Sequence, residues 1–226
     1  MPAGTDDDTR FDALRREMVE KQLVARGIRD PRLLAVMAAL PRHRFVDPAL
    51  ANSSYEDRPL PIGKGQTISQ PFMVARATEL AEVRPSDRAL EVGCGFGYQA
   101  AVLARLCAEV YGVELLPELA ARATTNLREQ GITNAIVDSF DGSAGWPAHA
   151  PYNVIIVSAG APRVPSLLVD QLAEGGRLVI PVGAGDQQRL ALVRRRGDSY
   201  FMTEDTKCRY VDLLGRYGFG GAAPIA

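Results

Sequence analysis

The sequence predicts an α/β fold in which a doubly wound, mostly parallel sheet of seven strands carries an N-terminal helical extension. Apolar runs of strand length alternate with helix-length segments from residue 89 onward, which is the pattern of a parallel sheet covered by helices on both faces. A glycine-rich turn follows the first of these runs, where open α/β sheets bind their ligands. The 226 residues, 46% hydrophobic and 23% charged, suit one globular domain with extensions.

The N-terminal region is predicted to be helical apart from one irregular segment. Residues 1–9 are small or acidic and are expected to form a disordered leader. Asp30-Pro31 predicts a helix start, with aspartate as the N-cap and proline at the first helical position. Residues 41–70 are rich in proline and glycine and show no clear period, and a long segment of this kind is more often functional than a plain connector. Apolar residues at helical spacing predict helices at 10–26, 32–40 and 71–81.

The remainder of the chain supplies the sheet and its covering helices. Helical segments are predicted after the first, second and fourth strands, reaching residue 106 and covering 117–130 and 165–173. The last two strands are expected to form an antiparallel edge. The seven predicted strands are 89–93, 109–114, 134–140, 152–159, 176–183, 189–196 and 210–214.

Charge and residue usage exclude several classes of function. The 26 Lys and Arg nearly cancel the 27 Asp and Glu, so no basic field predicts nucleic acid or a membrane surface as partner. The acidic start lacks the apolar stretch of a signal peptide, and no apolar run is long enough to span a membrane. Three cysteines without a C-x-x-C and only two histidines make a disulfide framework or a metal centre improbable and fit a reducing cytoplasm.

The turn EVGCGFGY (91–98) is the first candidate binding element. Gly93, Gly95 and Gly97 follow a G-x-G-x-G spacing, whereas dinucleotide-binding folds show G-x-G-x-x-G. Glu91 lies two positions before the first glycine, and a carboxylate there can bind an ammonium group. The pattern therefore favours S-adenosylmethionine, which has an ammonium and no pyrophosphate, over a nicotinamide dinucleotide.

Acidic residues at the next two strand ends support the same interpretation. Glu114, with Leu115 beside it, ends the second strand, where a carboxylate can accept hydrogen bonds from both ribose hydroxyls. Asp141-Gly142 ends the third strand, near the expected position of an adenine. Each residue alone could be ordinary turn chemistry, but three such features on successive strand ends favour a cofactor site.

Four longer motifs resemble one family. PRHRFVDP (41–48), YEDRPLPIGKGQTISQPFMVA (55–75), LEVGCGFGYQAAVLA (90–104) and GGRLVIPVG (175–183) are similar, in order, to the protein-L-isoaspartate O-methyltransferases. The resemblance runs from about residue 15 to about 215, and GQTISQP is its most distinctive run. It implies a Rossmann-like, seven-stranded, S-adenosylmethionine-dependent enzyme that acts as a monomer on isoaspartyl peptides. It also implies cofactor contacts at Thr67 and Ile68 and an active-site role for Ser69.

Ser69 is physically plausible as the catalytic residue. It precedes the helix that Pro71 opens, where free backbone N–H groups and the helix dipole attract an anion. The implied nucleophile, a carboxylate, is already ionised at neutral pH and requires no general base. The alternative is that Ser69 only caps the helix.

Three segments depart from the family pattern, at Phe140, Gly160 and Asp212, and all lie near the expected substrate side. The implied function is esterification of the free α-carboxylate of L-isoaspartyl residues, leading through succinimide to repair. The alternatives are a relative that esterifies an aspartate of one dedicated precursor peptide, a nicotinamide-dependent dehydrogenase, or a non-catalytic cofactor-binding scaffold. The expected organisation is a disordered leader (1–9), a helical and substrate-loop region packed on the core (10–88), a methyltransferase core (89–216) and a flexible tail (217–226).

Overall fold

The computed structural model describes residues 5–219 and contains one seven-stranded sheet, a separate two-stranded hairpin and flanking helices. Within those residues, no helix has the length and apolar composition that crossing a bilayer would require. The helices are α1 (Thr5–Glu17), α2 (Pro31–Ala39), α3 (Pro71–Leu80), α4 (Tyr98–Ala104), α5 (Pro117–Glu129) and α6 (Ser166–Asp170). The strands are β1 (Leu60–Gly63), β2 (Gln66–Ile68), β3 (Arg88–Val92), β4 (Glu109–Glu114), β5 (Ala135–Ser139), β6 (Tyr152–Val157), β7 (Leu172–Val182), β8 (Arg189–Arg196) and β9 (Ser199–Lys207).

The sheet confirms the predicted fold class. Its strand order is β5-β4-β3-β6-β7-β8-β9; β3 to β7 pair in parallel, and β8 and β9 add an antiparallel edge. The central strands are buried nearly throughout, which is why they read as continuous apolar runs in the sequence. The strand order reverses between β3 and β6, so a crevice is expected at the carboxyl ends of these two strands.

The N-terminal segments pack against one side of the sheet and share its hydrophobic core. Met18, Leu33 and Phe45 are fully buried in the same cluster as residues of α3 and α4. The predicted start of α2 is confirmed, because the Asp30 carboxylate accepts hydrogen bonds from the backbone N–H groups of Arg32 and Leu33. The irregular segment after α2 contains two short 3₁₀ helices (Arg42–Phe45 and Pro48–Ser53) and the hairpin of β1 and β2.

Two predicted boundaries at the chain's ends differ in the structure. Helix α1 starts at Thr5, so residues 5–9 of the expected disordered leader are helical, while residues 1–4 lie outside the described part. The predicted 10–26 helix continues from α1 as a π-helical turn (Met18–Leu23) and a 3₁₀ turn (Val24–Arg26). At the other end, the expected flexible tail from residue 217 overlaps the described residues only as far as Phe219.

The predicted strand at 210–214 is wrong. The seventh strand is β9, whose residues are mostly exposed because it lies at the sheet edge, so its sequence lacks the apolar run of a buried strand. The segment after β9 instead crosses the carboxyl ends of the strands, where Gly160 donates to the Val211 carbonyl (2.8 Å) and Leu213 donates to the Gly160 carbonyl (2.7 Å). The predicted 165–173 helix is also shorter, since it ends at Asp170 and β7 begins at Leu172.

Candidate active site

Three adjoining cavities lie where the carboxyl ends of β3, β4 and β6 meet the hairpin and the segment after β9. All three are lined by Thr67 and Ser158, which therefore stand at their junction. The largest, here the large cavity, has a volume of about 750 Å³ and is formed mainly by the hairpin and residues 207–214. The other two share Ile62, Gly93 and Gly95 and are together named the narrow cleft.

The glycine turn forms one wall of the narrow cleft, as the sequence predicts. Gly93 donates to the Val113 carbonyl (2.8 Å), which ties the turn to the end of β4. Gly95 has a φ of +52°, a left-handed conformation that favours glycine, and a Cβ atom there would also crowd Ile62 Cδ1 at 2.9 Å. Gly97 is the N-cap residue of α4 and packs against Ala123; it lines neither cavity of the cleft, so its predicted cofactor contact stays a prediction.

Backbone donors fix Glu114 beside the glycine turn. One carboxylate oxygen accepts from the Gly95 N–H (2.8 Å) and the other from the Leu116 N–H (3.0 Å), and only 6% of the residue is exposed. An ionised carboxylate oxygen accepts more than one hydrogen bond, so acceptor capacity remains for two vicinal hydroxyls. Leu115 lines the same cavity and supplies apolar surface beside the carboxylate.

Glu91 is the buried acid of the site. It is 1% exposed; one carboxylate oxygen accepts from the Ser158 hydroxyl (2.8 Å), and the other has no partner among the described residues. Burial raises the pKa of Glu91 to about 8, opposed by the Ser158 hydrogen bond and by the nearby Ala100 backbone N–H, and reinforced by the charge of Glu114. A buried carboxylate oxygen without a donor, at the edge of a cleft, has the chemistry to receive an ammonium group.

The structure gives the adjacent residues Asp141 and Gly142 different surroundings. Asp141 accepts hydrogen bonds from Ser143 N–H (2.9 Å) and hydroxyl (2.6 Å) and from Arg216 N–H (2.8 Å), and it is not among the residues lining the narrow cleft. Burial acts to raise the pKa of Asp141, but the bonds from Ser143 and Arg216 outweigh it and lower the pKa. Gly142 does line the cleft. Asp141 therefore shapes the turn and anchors the C-terminal segment, and only Gly142 is placed to touch a ligand.

Ser69 lies where the large cavity meets the narrow cleft. It is half-buried and lines both the large cavity and the narrow cleft, while Ile68 is buried against the cleft. The N-cap of α3 is Gln70, which makes no side-chain capping bond, so Ser69 is not the helix cap that the alternative interpretation expected. Its carbonyl accepts from Arg42 Nη2 (2.7 Å), which fixes the main chain at this position.

Sequence reasoning missed the residues that come from outside the recognised motifs. Ser158 lies just past the end of β6 and binds Glu91, so the strand-end rule that found Glu114 could also have found it. Tyr210 lines the large cavity from the segment predicted as a strand, and no local pattern marks it, because its position depends on contacts across the sheet. Asp212, which the sequence marks only as a departure from the family pattern, lines both the large cavity and the narrow cleft.

Two of the family departures are in direct contact. Gly160 and Asp212 form a β-bridge over the site. A Cβ atom at Gly160 would lie 2.4 Å from Gln188 Nε2, and the Gln188 side chain holds Tyr210 through its backbone N–H (2.7 Å) and carbonyl (3.2 Å). The glycine at this position is therefore explained by the glutamine that packs against it. Phe140 lies elsewhere, edge-on against the Trp146 ring.

Three basic side chains line the large cavity. Arg26 is paired with Asp57 (2.6 Å) and the exposed Arg209 with Asp186 (2.9 Å). Lys207 also lines the cavity, and its ammonium makes no ion pair or hydrogen bond with the part of the chain that the structure describes. Asp212 lines the cavity as well, so the rim presents charges of both signs to an entering ligand, and Lys207 is its cation without a bonded carboxylate.

The chain is similar to one family over nearly its whole length. A sequence model of the protein-L-isoaspartate(D-aspartate) O-methyltransferases matches residues 14–218. A protein-L-isoaspartate O-methyltransferase of Geobacter metallireducens is 49% identical over 211 residues, which cover 93% of this chain and 98% of the relative. One of Methanoculleus marisnigri is 51% identical over 208 residues, which cover 92% and 94%.

Solved structures with this architecture include two of the same enzyme class. A protein-L-isoaspartate O-methyltransferase superposes with a TM-score of 0.80 at 28% identity, covering 90% of this chain and 67% of that one. A Plasmodium falciparum protein assigned to the same class superposes with a TM-score of 0.77 at 25% identity, covering 88% and 98%, and was solved in complex with S-adenosyl-L-homocysteine.

Proposed function

This chain belongs to the protein-L-isoaspartate(D-aspartate) O-methyltransferase family, and we propose from that premise that it esterifies the free α-carboxylate of L-isoaspartyl residues in peptides and proteins. It is a carboxyl methyltransferase that uses S-adenosylmethionine. The observation that carries the assignment to this site is that Ser69, in the motif most specific to the family, lines both the narrow cleft and the large cavity.

The residues of the narrow cleft fit the cofactor by their chemistry. The unpartnered oxygen of Glu91 suits its ammonium group, and the Glu114 carboxylate suits its ribose hydroxyls. Glycines 93, 95 and 142 leave room for close backbone approach, and Thr67 and Leu115 complete the lining. Bound S-adenosylmethionine supplies a methyl group on a positively charged sulfur, which makes the methyl carbon electrophilic.

The chain's own contribution to the reaction is positioning. The isoaspartyl carboxylate oxygen attacks the methyl carbon with a lone pair, and the electrons of the breaking S–CH₃ bond stay on sulfur, so no proton moves. Ser69 orients the carboxylate at the junction of the cavities, where the attacking oxygen must lie in line with the S–CH₃ bond. The resulting methyl ester is a better leaving group than a carboxylate, so the succinimide closes and its hydrolysis returns some normal aspartate.

An assay with paired peptides tests the proposal. An isoaspartyl peptide and its aspartyl twin differ by one methylene between the reacting carboxylate and the backbone, and misplacement by about an ångström can lower the rate roughly a hundredfold. We expect ready methylation of the isoaspartyl peptide, little of its twin, and base-labile release of methanol. Equal methylation of both peptides would contradict the repair function.

The alternatives are not favoured. The family match and the curated relatives carry the isoaspartate methyltransferase name, and neither points to a dedicated precursor peptide or a nicotinamide cofactor. If both peptides are inert and one particular precursor peptide reacts, the enzyme modifies a dedicated precursor and the repair function is wrong.

The remaining expectations are also part of the proposal. We propose that the enzyme is a cytoplasmic monomer, because its three cysteines are free, as suits a reducing compartment, and because the family resemblance implies a monomer. Residues 10–88 act as the substrate-loop region and 89–216 as the cofactor-binding core. A molar mass from light scattering near the 24.4 kDa of one chain would support the monomer, and twice that value would contradict it.

A further inference from the structure

Arg42 is a buried arginine in contact with the main chain of Ser69. It is fully buried; its Nη2 donates to the Ser69 carbonyl (2.7 Å) and its Nε to the Ser54 carbonyl (2.7 Å). Its Nη1 has no partner among the described residues, and its guanidinium lies 4.8 Å from the centre of the Tyr98 ring. No ion pair in that part of the chain involves Arg42, so its positive charge lacks a bonded carboxylate.

A second buried arginine shows what a purely structural one looks like in this fold. Arg177 is 3% exposed and forms an ion pair with the equally buried Asp87 (2.7 Å). Its other donors are occupied by the carbonyls of Ala81, Glu82 and Asn153. A buried charge is normally paired in this way because leaving it unpaired is costly. Arg42 departs from that rule at the candidate active site.

The charges around Arg42 leave a net positive cluster. Asp57 is the carboxylate that acts on it through space, but Asp57 is bound by Arg26 (2.6 Å). Burial lowers the pKa of Arg42 only to about 10, so it stays charged at neutral pH. The three side chains therefore sum to +1, and Arg26 lines the large cavity that Ser69 also lines.

We propose that Arg42 is a positioning residue for the substrate carboxylate. It fixes the main chain at Ser69, and its uncompensated charge favours an anion beside the Ser69 hydroxyl. The isoaspartyl carboxylate is the anion that the reaction brings to this place, so the inference rests on the proposed function.

The chemistry determines which kinetic constant Arg42 controls. Methyl transfer starts from a carboxylate anion and a sulfonium cation and ends with a neutral ester and a neutral thioether. The negative charge on the carboxylate therefore declines on the way to the transition state. A fixed positive charge next to it stabilises the bound substrate at least as much as the transition state, so it lowers KM and does not raise kcat.

Charge removal at Arg42 is the primary experiment. R42Q should weaken binding of an isoaspartyl peptide roughly tenfold or more, because a buried charge is screened little by water or salt. Binding of the same peptide with its α-carboxylate replaced by a carboxamide should be unchanged. R42K should restore most of the affinity for the carboxylate peptide. Calorimetry measures each dissociation constant with S-adenosylhomocysteine present, and R163Q, at an exposed arginine away from the cavity, is the control for net charge.

A second variant protects the test against a misfolded R42Q protein. D57N removes the only negative charge of the cluster at a partly exposed position, so it should tighten binding of the carboxylate peptide severalfold. A merely structural role for the cluster predicts weaker binding for both R42Q and D57N. The electrostatic role is therefore supported if R42Q weakens and D57N tightens binding of the carboxylate peptide, and neither variant changes binding of the carboxamide.

The outcomes separate the inference from the function on which it rests. If the unmodified enzyme does not methylate the isoaspartyl peptide, the proposed function fails. If it does, but R42Q loses kcat at an unchanged KM, or weakens both peptides equally, the role of Arg42 is overturned while the function stands. Melting temperatures of all variants identify any that fail to fold. If R42Q is one of them, the direction in which D57N changes the dissociation constant of the carboxylate peptide decides between the two roles.

Discussion

The narrow cleft and the large cavity meet at Thr67 and Ser158 but are built in different ways. Strand ends and their following turns form the base of the cleft, where main-chain N–H groups fix the Glu114 carboxylate, and the hairpin and residues 211–214 complete its lining. Segments far apart in sequence form nearly all of the large cavity, namely the hairpin, residues 207–214 and the side chain of Arg26. The charged groups of the cleft are therefore placed by the sheet, whereas the large cavity depends on how extensions pack across it.

This difference teaches where each part of the function is encoded. We expect positions at the ends of β3, β4 and β6 to tolerate little change, since each of these strands has a neighbour on both sides. The segments around the large cavity contact one another through a few bonds, such as those of Gly160 with residues 211 and 213. Gly160 acts through Gln188 on Tyr210, which lines only the large cavity, so we expect a change at Gly160 to affect substrate selection more than cofactor binding. Asp212 lines both the large cavity and the narrow cleft, so a change there should affect both.

The largest expected effect is on the cleft side. Glu114→Ala should weaken S-adenosylhomocysteine binding about a hundredfold, because it removes a charged acceptor for two hydroxyls and frees the Gly95 and Leu116 N–H groups. Isothermal calorimetry measures the affinity. Glu118→Ala, four residues on and exposed in its pair with Lys64, is the matched control. Unchanged affinity in the Glu114 variant would remove this residue from the cofactor site.

The next effect tests the boundary between the two regions. Ser69→Ala should lower kcat/KM for an isoaspartyl peptide about tenfold or more, while affinity for S-adenosylhomocysteine stays nearly constant. The reason is that its hydroxyl orients the substrate carboxylate, whereas the cleft retains its charged groups. Ser199→Ala, on the exposed edge strand, is the control. A Ser69 variant that only melts earlier and turns over normally would assign the residue to stability.

The buried acid of the cleft, Glu91, predicts that the stability of the protein depends on pH. The pKa of Glu91 rises from about 4.5 to about 8 in the folded protein, so between these values the folded state holds a proton that the unfolded state has lost. Its contribution to stability is complete below about pH 4.5 and is lost as the pH rises towards 8. As the pH rises through this window, the melting temperature of the unmodified protein should therefore fall relative to that of Glu91→Gln. Parallel curves from pH 5 to 8 would mean that Glu91 ionises normally.

The smallest effect belongs to the rim of the large cavity. Lys207→Glu should shift preference severalfold from isoaspartyl peptides with acidic neighbours towards those with basic ones, since exposed charges are screened. Ratios of kcat/KM for two such peptides measure it, and raising the salt concentration should diminish the difference. Arg163→Glu carries the same change in net charge away from the cavity. An identical shift in that control would trace the preference to overall charge.

The accuracy of sequence prediction follows the same division. Buried parallel strands and the G-x-G-x-G turn were predicted within a few residues, because continuous apolar runs and glycine spacing are local signals. The edge strand β9 was misplaced, since an exposed edge imposes no apolar pattern. Asp141 was predicted to contact the cofactor but faces the chain at Arg216, because a strand-end position does not fix which way a side chain turns.

The sequence by itself determined the fold class, the family and the chemistry of the cleft, because each depends on residue types at short, fixed spacings. Only the tertiary structure decided that Ser158 binds Glu91, that Gln188 packs against Gly160, and that Arg42 lies unpaired against Ser69. The physical reason is that these contacts join residues from 27 to 67 positions apart, and their energies depend on burial and on which neighbours share the space. Such distances leave no periodic trace in the chain.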